Sequence, residues 1–238
     1  MSQLPKNIDY PLSWQDVSQG PYFKRIINSA IEPWLEVMFG SRMLKLGHLS
    51  IDMDTHHCGI NYQINMASTP GEIDLQADYE RLPFRNDSID ACMLIHLLPY
   101  AKNPHQILRE ADRVLTEDGW IIMSSYNLFS LKGMGKACAC FKHQPYYSGC
   151  VFSKFRLYDW FTLLNYEVMD FKQIAVLPWN SRYNKSLNRY FSSFGCINLI
   201  LAKKKTVPLI FNPLRNRHFK LDFGRKVVGV TKTKAQDS

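Results

Sequence analysis

Apolar and polar positions follow two rhythms along this chain. Between residues 21 and 40 the apolar side chains fall at Tyr22, Phe23, Ile26, Ile27, Ala30, Ile31, Trp34 and Leu35. That spacing makes one face of a helix, with Pro33 predicting a break or restart and Gly40 a stop. Met43 to Leu46 is a short apolar run ended by Gly47, and residues 60–66 and 72–78 alternate with period two. All three read as strands. Ile89 to Leu98 is almost continuously apolar, as a strand buried on both faces must be. Asn103 as N-cap and Pro104 at the first helical position open a helix whose apolar face is Ile107, Leu108, Ala111, Val114 and Leu115. Gly119 closes it, and Trp120 to Ser124 is a further buried strand. Ser153 caps a helix over 154–164, and residues 166–176 and 195–202 read as two closing strands. Strand, capped helix and strand in alternation predict an α/β domain with a mostly parallel sheet.

Composition narrows the class. A chain of 238 residues with 46% apolar and 13% aromatic side chains can bury the core of one domain with short appendages. Its longest apolar stretch, Ala91 to Ala101, contains His96 and Pro99 and falls short of the roughly 20 residues a membrane helix needs. The first 14 residues carry no apolar core of a secretion signal, so a cytoplasmic protein with six reduced cysteines is expected. Charge is uneven. Ten of the 29 Lys and Arg, and two of the 21 Asp and Glu, lie between Lys203 and Ser238, leaving 19 of each before them. The net charge of +8 therefore belongs to the C-terminal end, which excludes a uniformly basic, histone-like protein. The reading divides the chain into an N-terminal helical segment (1–40), a central domain (41–202) and a basic tail (203–238).

The block LPFRNDSIDACMLIHLLPYAKNPHQILREADRVLTEDGWIIMSSYN, Leu82 to Asn127, resembles the class I S-adenosylmethionine-dependent methyltransferases. In the type 11 group of that family a strand ending in an acid precedes an LPF turn, an apolar fourth strand and a helix ending in RVL. Within the group the chain looks most like a set of small uncharacterised bacterial proteins with a similar LKLGHLS opening. The resemblance implies a Rossmann-like doubly wound sheet of seven strands, mostly parallel with an antiparallel last strand, and S-adenosylmethionine as methyl donor. By that resemblance, Asp78 at the end of the third strand is the adenine-binding position, flanked by Tyr79 and Leu82. His96 near the end of strand four faces the donor's methionine part and the incoming acceptor, where it could serve as a catalytic base. An Asp closing a strand also serves as a turn residue, and a His in an apolar run as a core residue.

The glycine-rich turn of the family is degenerate here. In Leu44-Lys45-Leu46-Gly47-His48-Leu49-Ser50 only Gly47 remains, and Lys45 stands near the usual acid. Residues 60–66 lack the carboxylate expected for the ribose hydroxyls, with Asn65 as a neutral substitute. Two readings stay open: a methyltransferase holding its donor differently, through Lys45, His48 or Ser50 near the donor's carboxylate, or a non-catalytic binding module on the same fold. Asp52, Asp54, His56, His57 and Cys58 form a dense polar run, as do Cys138, Cys140, His143 and Cys150. Neither has the spacing of a metal site, and none is expected. Residues 119–158, where basic and aromatic residues interleave, together with the tail, suit an anionic partner such as nucleic acid.

Overall fold

Strand β4 (Ile89–Ile95) is apolar on both faces, and the sheet is assembled outward from it. The structure, a computed structural model, describes residues 10–128, 130, 150–175 and 195–205. Around β4 lie β1 (Arg42–Leu46), β2 (Tyr62–Ala67), β3 (Leu75–Gln76), β5 (Leu115–Tyr126), β6 (Tyr166–Ile174) and β7 (Ile197–Lys204). Their order is β3-β2-β1-β4-β5-β7-β6, with β1 to β5 parallel and β7 antiparallel to both β5 and β6. This is the seven-stranded sheet the sequence predicts.

Alternation along the strands sorts side chains onto two layers. Met43, Ala91, Met93, Ile95, Trp120, Ile122, Leu199 and Leu201 pack beneath α1 (Gly20–Val37). Leu44, Leu46, Cys92, Leu94, Ile121, Met123 and Ile200 face α3 (Pro104–Val114) and α4 (Lys154–Leu163). Between β1 and β2 there is only α2 (His48–Ile51), a single turn.

Pro33 does not break α1. It lies on the solvent side, as does Ser29, the residue one turn before it. A carbonyl that loses its helical donor there is still hydrated, while Ile31, Trp34 and Leu35 anchor the helix on both sides of the proline. The 72–78 strand shrinks to two residues: the Asp74 backbone N–H still donates to the Asn65 carbonyl at 2.9 Å, but its side chain stands in for a ladder carbonyl. Its carboxylate accepts the Asn65 N–H at 2.8 Å. At the other side of the sheet β7 continues through Lys203 and Lys204, which reach Asp118 (3.3 Å) and Asp112 (3.2 Å). The basic run thus begins inside the sheet. Residues 176–194 and 206–238, which include most of the basic tail, lie outside the described residues. Among the described residues no helix is long and apolar enough to cross a membrane.

Candidate functional site

Open α/β sheets bind ligands beyond the carboxyl ends of their strands. At the end of β1, Gly47 adopts φ 85° and donates its N–H to the Met66 carbonyl at 2.8 Å. A Cβ at Gly47 would stand 3.1 Å from Leu97 Cδ1 and 3.7 Å from Tyr79 Oη. The space above this glycine is therefore roofed by two side chains. Ser50, fully buried, donates to the Leu46 carbonyl (2.6 Å) and accepts the Ile95 N–H (2.8 Å), tying β1 to β4. His48 Nε2 pairs with Thr69 Oγ1 at 2.9 Å.

Lys45 points to the opposite layer. Its ammonium donates to Thr55 Oγ1 at 2.7 Å and reaches the Met53 carbonyl at 3.4 Å, while the Thr55 hydroxyl donates to Gln63. Burial pushes the Lys45 amine below its ordinary value, against the opposing pull of Cys58 and Asp54. Asn65 pairs with Lys45 across the β1–β2 ladder, and its side-chain oxygen is buried without a partner. Of the polar groups around the glycine turn, Lys45, His48, Ser50 and Thr55 are thus engaged with protein.

The segment after β3 is held differently. Asp78 is exposed, and one carboxylate oxygen accepts the Glu80 N–H at 3.0 Å in a tight turn. Beside it opens a polar cleft of about 560 Å³, lined also by Glu80, Arg81, Asn103, His105 and Arg109. Asn103 stands at the N-cap of α3 but does not cap it; its amide donates to the Glu80 carboxylate at 3.2 Å. Tyr79 and Leu82 are buried, and burial raises the Tyr79 phenol. The LPF turn is fixed by one ion pair on α3. Glu110 accepts the Leu82 N–H (3.0 Å), and Arg113 donates to the carbonyls of Leu82 and Phe84, each at 2.9 Å. Arg113 also meets Glu110 at 2.8 Å, and this bond holds the carboxyl below its usual range.

His96 ends β4 in a left-handed conformation, φ 52°. That region is uncommon for a residue with a side chain, though His tolerates it better than most. Its ring is buried, with Nδ1 at 2.5 Å from Ser124 Oγ, and lies 4.5 Å from the Tyr126 ring and 5.9 Å from that of Trp14. Trp14 belongs to a strap that sequence patterning missed. Residues 10–19 are turns, not helix. Asp16 takes the N–H groups of Leu12 and Ser13, and Tyr10 packs edge-on against Tyr79 at 4.9 Å. The available signal was two aromatics, Tyr10 and Trp14, in a polar stretch. On the other side, both feet of the 131–149 connection stand at the crevice: the Phe152 N–H bonds the Tyr126 carbonyl (3.0 Å) and the Cys150 N–H the Pro99 carbonyl (2.6 Å). Among the described residues no three His, Cys, Asp or Glu side chains converge as a metal would require. Cys138, Cys140 and His143 lie outside the described residues.

Against the donor this fold family implies, the crevice divides. The end that the resemblance assigns to adenine offers an exposed carboxylate beside an open polar cleft. The ribose and methionine end does not fit in this conformation, because Leu97 and Tyr79 fill the approach to Gly47 and no carboxylate ends β2.

The family described as a methyltransferase domain matches residues 42–123. The chain is 36% identical over 231 residues to the uncharacterised protein YafS of Escherichia coli K12, covering 97% of this chain and 96% of the relative. Among solved structures it is similar to an S-adenosylmethionine-dependent methyltransferase of Thermotoga maritima (TM-score 0.54, 17% identity, 81% of this chain and 100% of that one). It is also similar to the [4+2]-cyclase SpnF (TM-score 0.52, 13% identity, 80% and 83%). These structural likenesses show the fold alone. With the matched domain, the full-length relative and the complete sheet order in agreement, the chain belongs to the class I S-adenosylmethionine-dependent methyltransferase family, in its type 11 group.

Proposed function

We propose that this protein is a cytoplasmic S-adenosylmethionine-dependent methyltransferase whose acceptor enters beside His96. The observation that supports it most is the exposed Asp78 carboxylate at the mouth of the polar cleft, an acceptor for the donor's adenine amine. In this reading Tyr79 and Leu82 flank the adenine, Gly47 and Asn65 serve the methionine and ribose side, and His96 faces the transferred methyl group. The bound donor supplies a methyl already activated by its sulfonium, so the protein's share is alignment and exclusion of water. Donor binding then requires Leu97 and Tyr79 to withdraw from Gly47, with the strap over Tyr79 moving as they do. In this reading the lysines of the 131–149 segment suit an anionic acceptor.

Calorimetry on the full chain tests this. Saturable binding of S-adenosylmethionine or S-adenosylhomocysteine is expected, weakened roughly ten- to hundredfold by Asp78→Ala, since a charged hydrogen bond contributes about 1.5–3 kcal/mol. No heat and no thermal shift at millimolar donor would sink the proposal. One observation favours a second reading, a binding module on a fold that has lost its donor: the roof of Leu97 and Tyr79 over Gly47. Such a module would bind nucleic acid or a protein partner through the basic 131–149 segment and the tail. Its nucleic-acid form predicts affinity that falls steeply with salt, and a salt-independent affinity would exclude that form.

A further inference from the structure

The strap of residues 10–19 runs from one layer of the molecule to the other. Tyr10 packs with the side chains of the α3 layer, whereas Trp14 and Val17 belong to the α1 layer. It crosses between them at the carboxyl ends of the strands, where Tyr10 meets Tyr79 edge-on at 4.9 Å and Trp14 meets His96 at 5.9 Å. Tyr79 is half of the roof over Gly47, and His96 ends β4. A side chain that touches neither of these holds the strap in shape. The exposed Asp16 carboxylate accepts the N–H groups of Leu12 (3.1 Å) and Ser13 (2.9 Å), the residues between the two aromatic contacts. Docking has two costs. The Trp14 indole N–H is buried with no acceptor among the described residues, and a buried donor left unmade is destabilising. Gln19, at the joint with α1, is left-handed, φ 64°, a region that residues with a side chain seldom occupy. Lifting the strap hydrates the indole N–H and frees Gln19 to leave that region, so the docked position is held less firmly than its burial alone suggests.

We propose that the strap is an autoinhibitory gate: docked, it keeps both donor and acceptor out of the crevice, and it opens as a unit about Gln19 and Gly20. The inference rests on the reading that the donor lies over Gly47 and the acceptor beside His96, and it adds how access to them is regulated. Tyr10 presses on Tyr79, so the donor side opens only when Tyr10 withdraws. Trp14 covers the His96 ring, so the acceptor side opens only when Trp14 withdraws. Asp16 ties the residues between them into one body, and a single movement uncovers both. The donor's apparent dissociation constant is then its intrinsic one divided by the open fraction. Loosening the strap therefore strengthens binding, the reverse of what removing a ligand contact does. By the same arithmetic a bound donor, which holds the strap open, raises the affinity for the acceptor.

Calorimetry with S-adenosylhomocysteine on the full chain tests this. Asp16→Ala loosens the strap without touching the crevice and is expected to bind about three- to tenfold more tightly than the wild-type protein, the effect of losing one ordinary hydrogen bond from the closed state. Asp16→Asn, which keeps an acceptor oxygen, should stay nearer the wild-type value. Unchanged or weaker binding by Asp16→Ala overturns the gate, since an idle strap gives the first result and a strap that clasps the donor gives the second. Should Asp16→Ala not fold, Tyr10→Ala decides in the same way. A donor-free readout separates the gate from the reading beneath it. Acrylamide quenching of Trp14 is obtained by difference against Trp14→Phe, because the chain has five tryptophans. It should rise in the loosened variant while the body stays folded. Unchanged quenching there overturns the proposal whatever the donor does. Raised quenching with no donor binding in any of these proteins defeats the methyltransferase reading and leaves the strap as a gate over this crevice.

Discussion

Single atoms decide how the strap meets the body. A Cβ added at Gly20 would fall 1.6 Å from the Trp14 carbonyl oxygen, so the strap's fold-back depends on that hydrogen. Gln19 immediately before it is already left-handed, φ 64°, which leaves the turn little room to adjust. Gly20→Ala is expected to lose about 1–3 kcal/mol, the usual range for overpacking, measured as a lowered denaturant midpoint with helix content retained. An unchanged midpoint would mean that the strap is not docked as described. None of this could be read from the chain, because Gly20 looks like an ordinary helix boundary and its partner is a backbone oxygen six residues earlier. Asp78 and His96 stood out because the family resemblance places its site positions on them. Ser124 did not, since a serine in a buried strand carries no signal until its neighbour across the ladder is known.

At the scale of elements, the most recognisable block owes its character to structure more than to chemistry. Glu110 and Arg113 sit one turn apart on α3 and clamp the Leu82–Phe84 turn, which sets the segment leading back to Asp78. In this chain the helix ending in RVL and the LPF turn are thereby one structural unit. The Glu110 carboxyl is held below its unfolded value by Arg113 and by the Leu82 N–H. Its stabilisation is therefore complete above about pH 4.5 and is lost as pH falls through the lowered value. Glu110→Gln should cost about 1–2 kcal/mol at pH 7 and flatten the acid limb of the stability profile, followed by urea unfolding from pH 7 to 3. An acid limb identical to that of the wild-type protein would refute the clamp. The helices and strands were legible because their apolar periods are strong. The shortening of β3 was not, since it follows from the Asp74 side chain replacing a ladder bond.

Across the whole molecule, buried phenols set an alkaline limit. Tyr10, Tyr79, Tyr100 and Tyr166 are all raised, chiefly by burial. Above the ordinary value of 10.0 the unfolded chain ionises while the folded chain keeps these protons, so stability falls as pH rises from there. Tyr166, whose hydroxyl donates to Asp112 at 3.0 Å, contributes to that loss. Tyr166→Phe should be about 1 kcal/mol less stable at pH 8, yet lose less on going to pH 11 than the wild-type protein does. Equal losses in the two proteins would contradict this. The seven-stranded sheet was legible through the family resemblance, whereas the covering of the crevice by the first described residues was not, because it depends on contacts between segments far apart in the chain.

The helix α1 has a consequence in time. Its Trp34 indole donates to Asp170 at 2.9 Å, and its Ala30 carbonyl accepts from Lys172 at 3.1 Å, both on β6, a strand at the sheet's edge. During synthesis α1 emerges well over a hundred residues before the strand that clasps it, and among the described residues β6 itself pairs only with β7, which comes later still. The earliest helix must wait for the latest strands, so closure of this domain is a long-range event of the kind that slows folding. On the ribosome, the apolar face of α1 has β1, β4 and β5 to pack on before β6 exists, and it is the clasp to β6 that waits for the end of the chain.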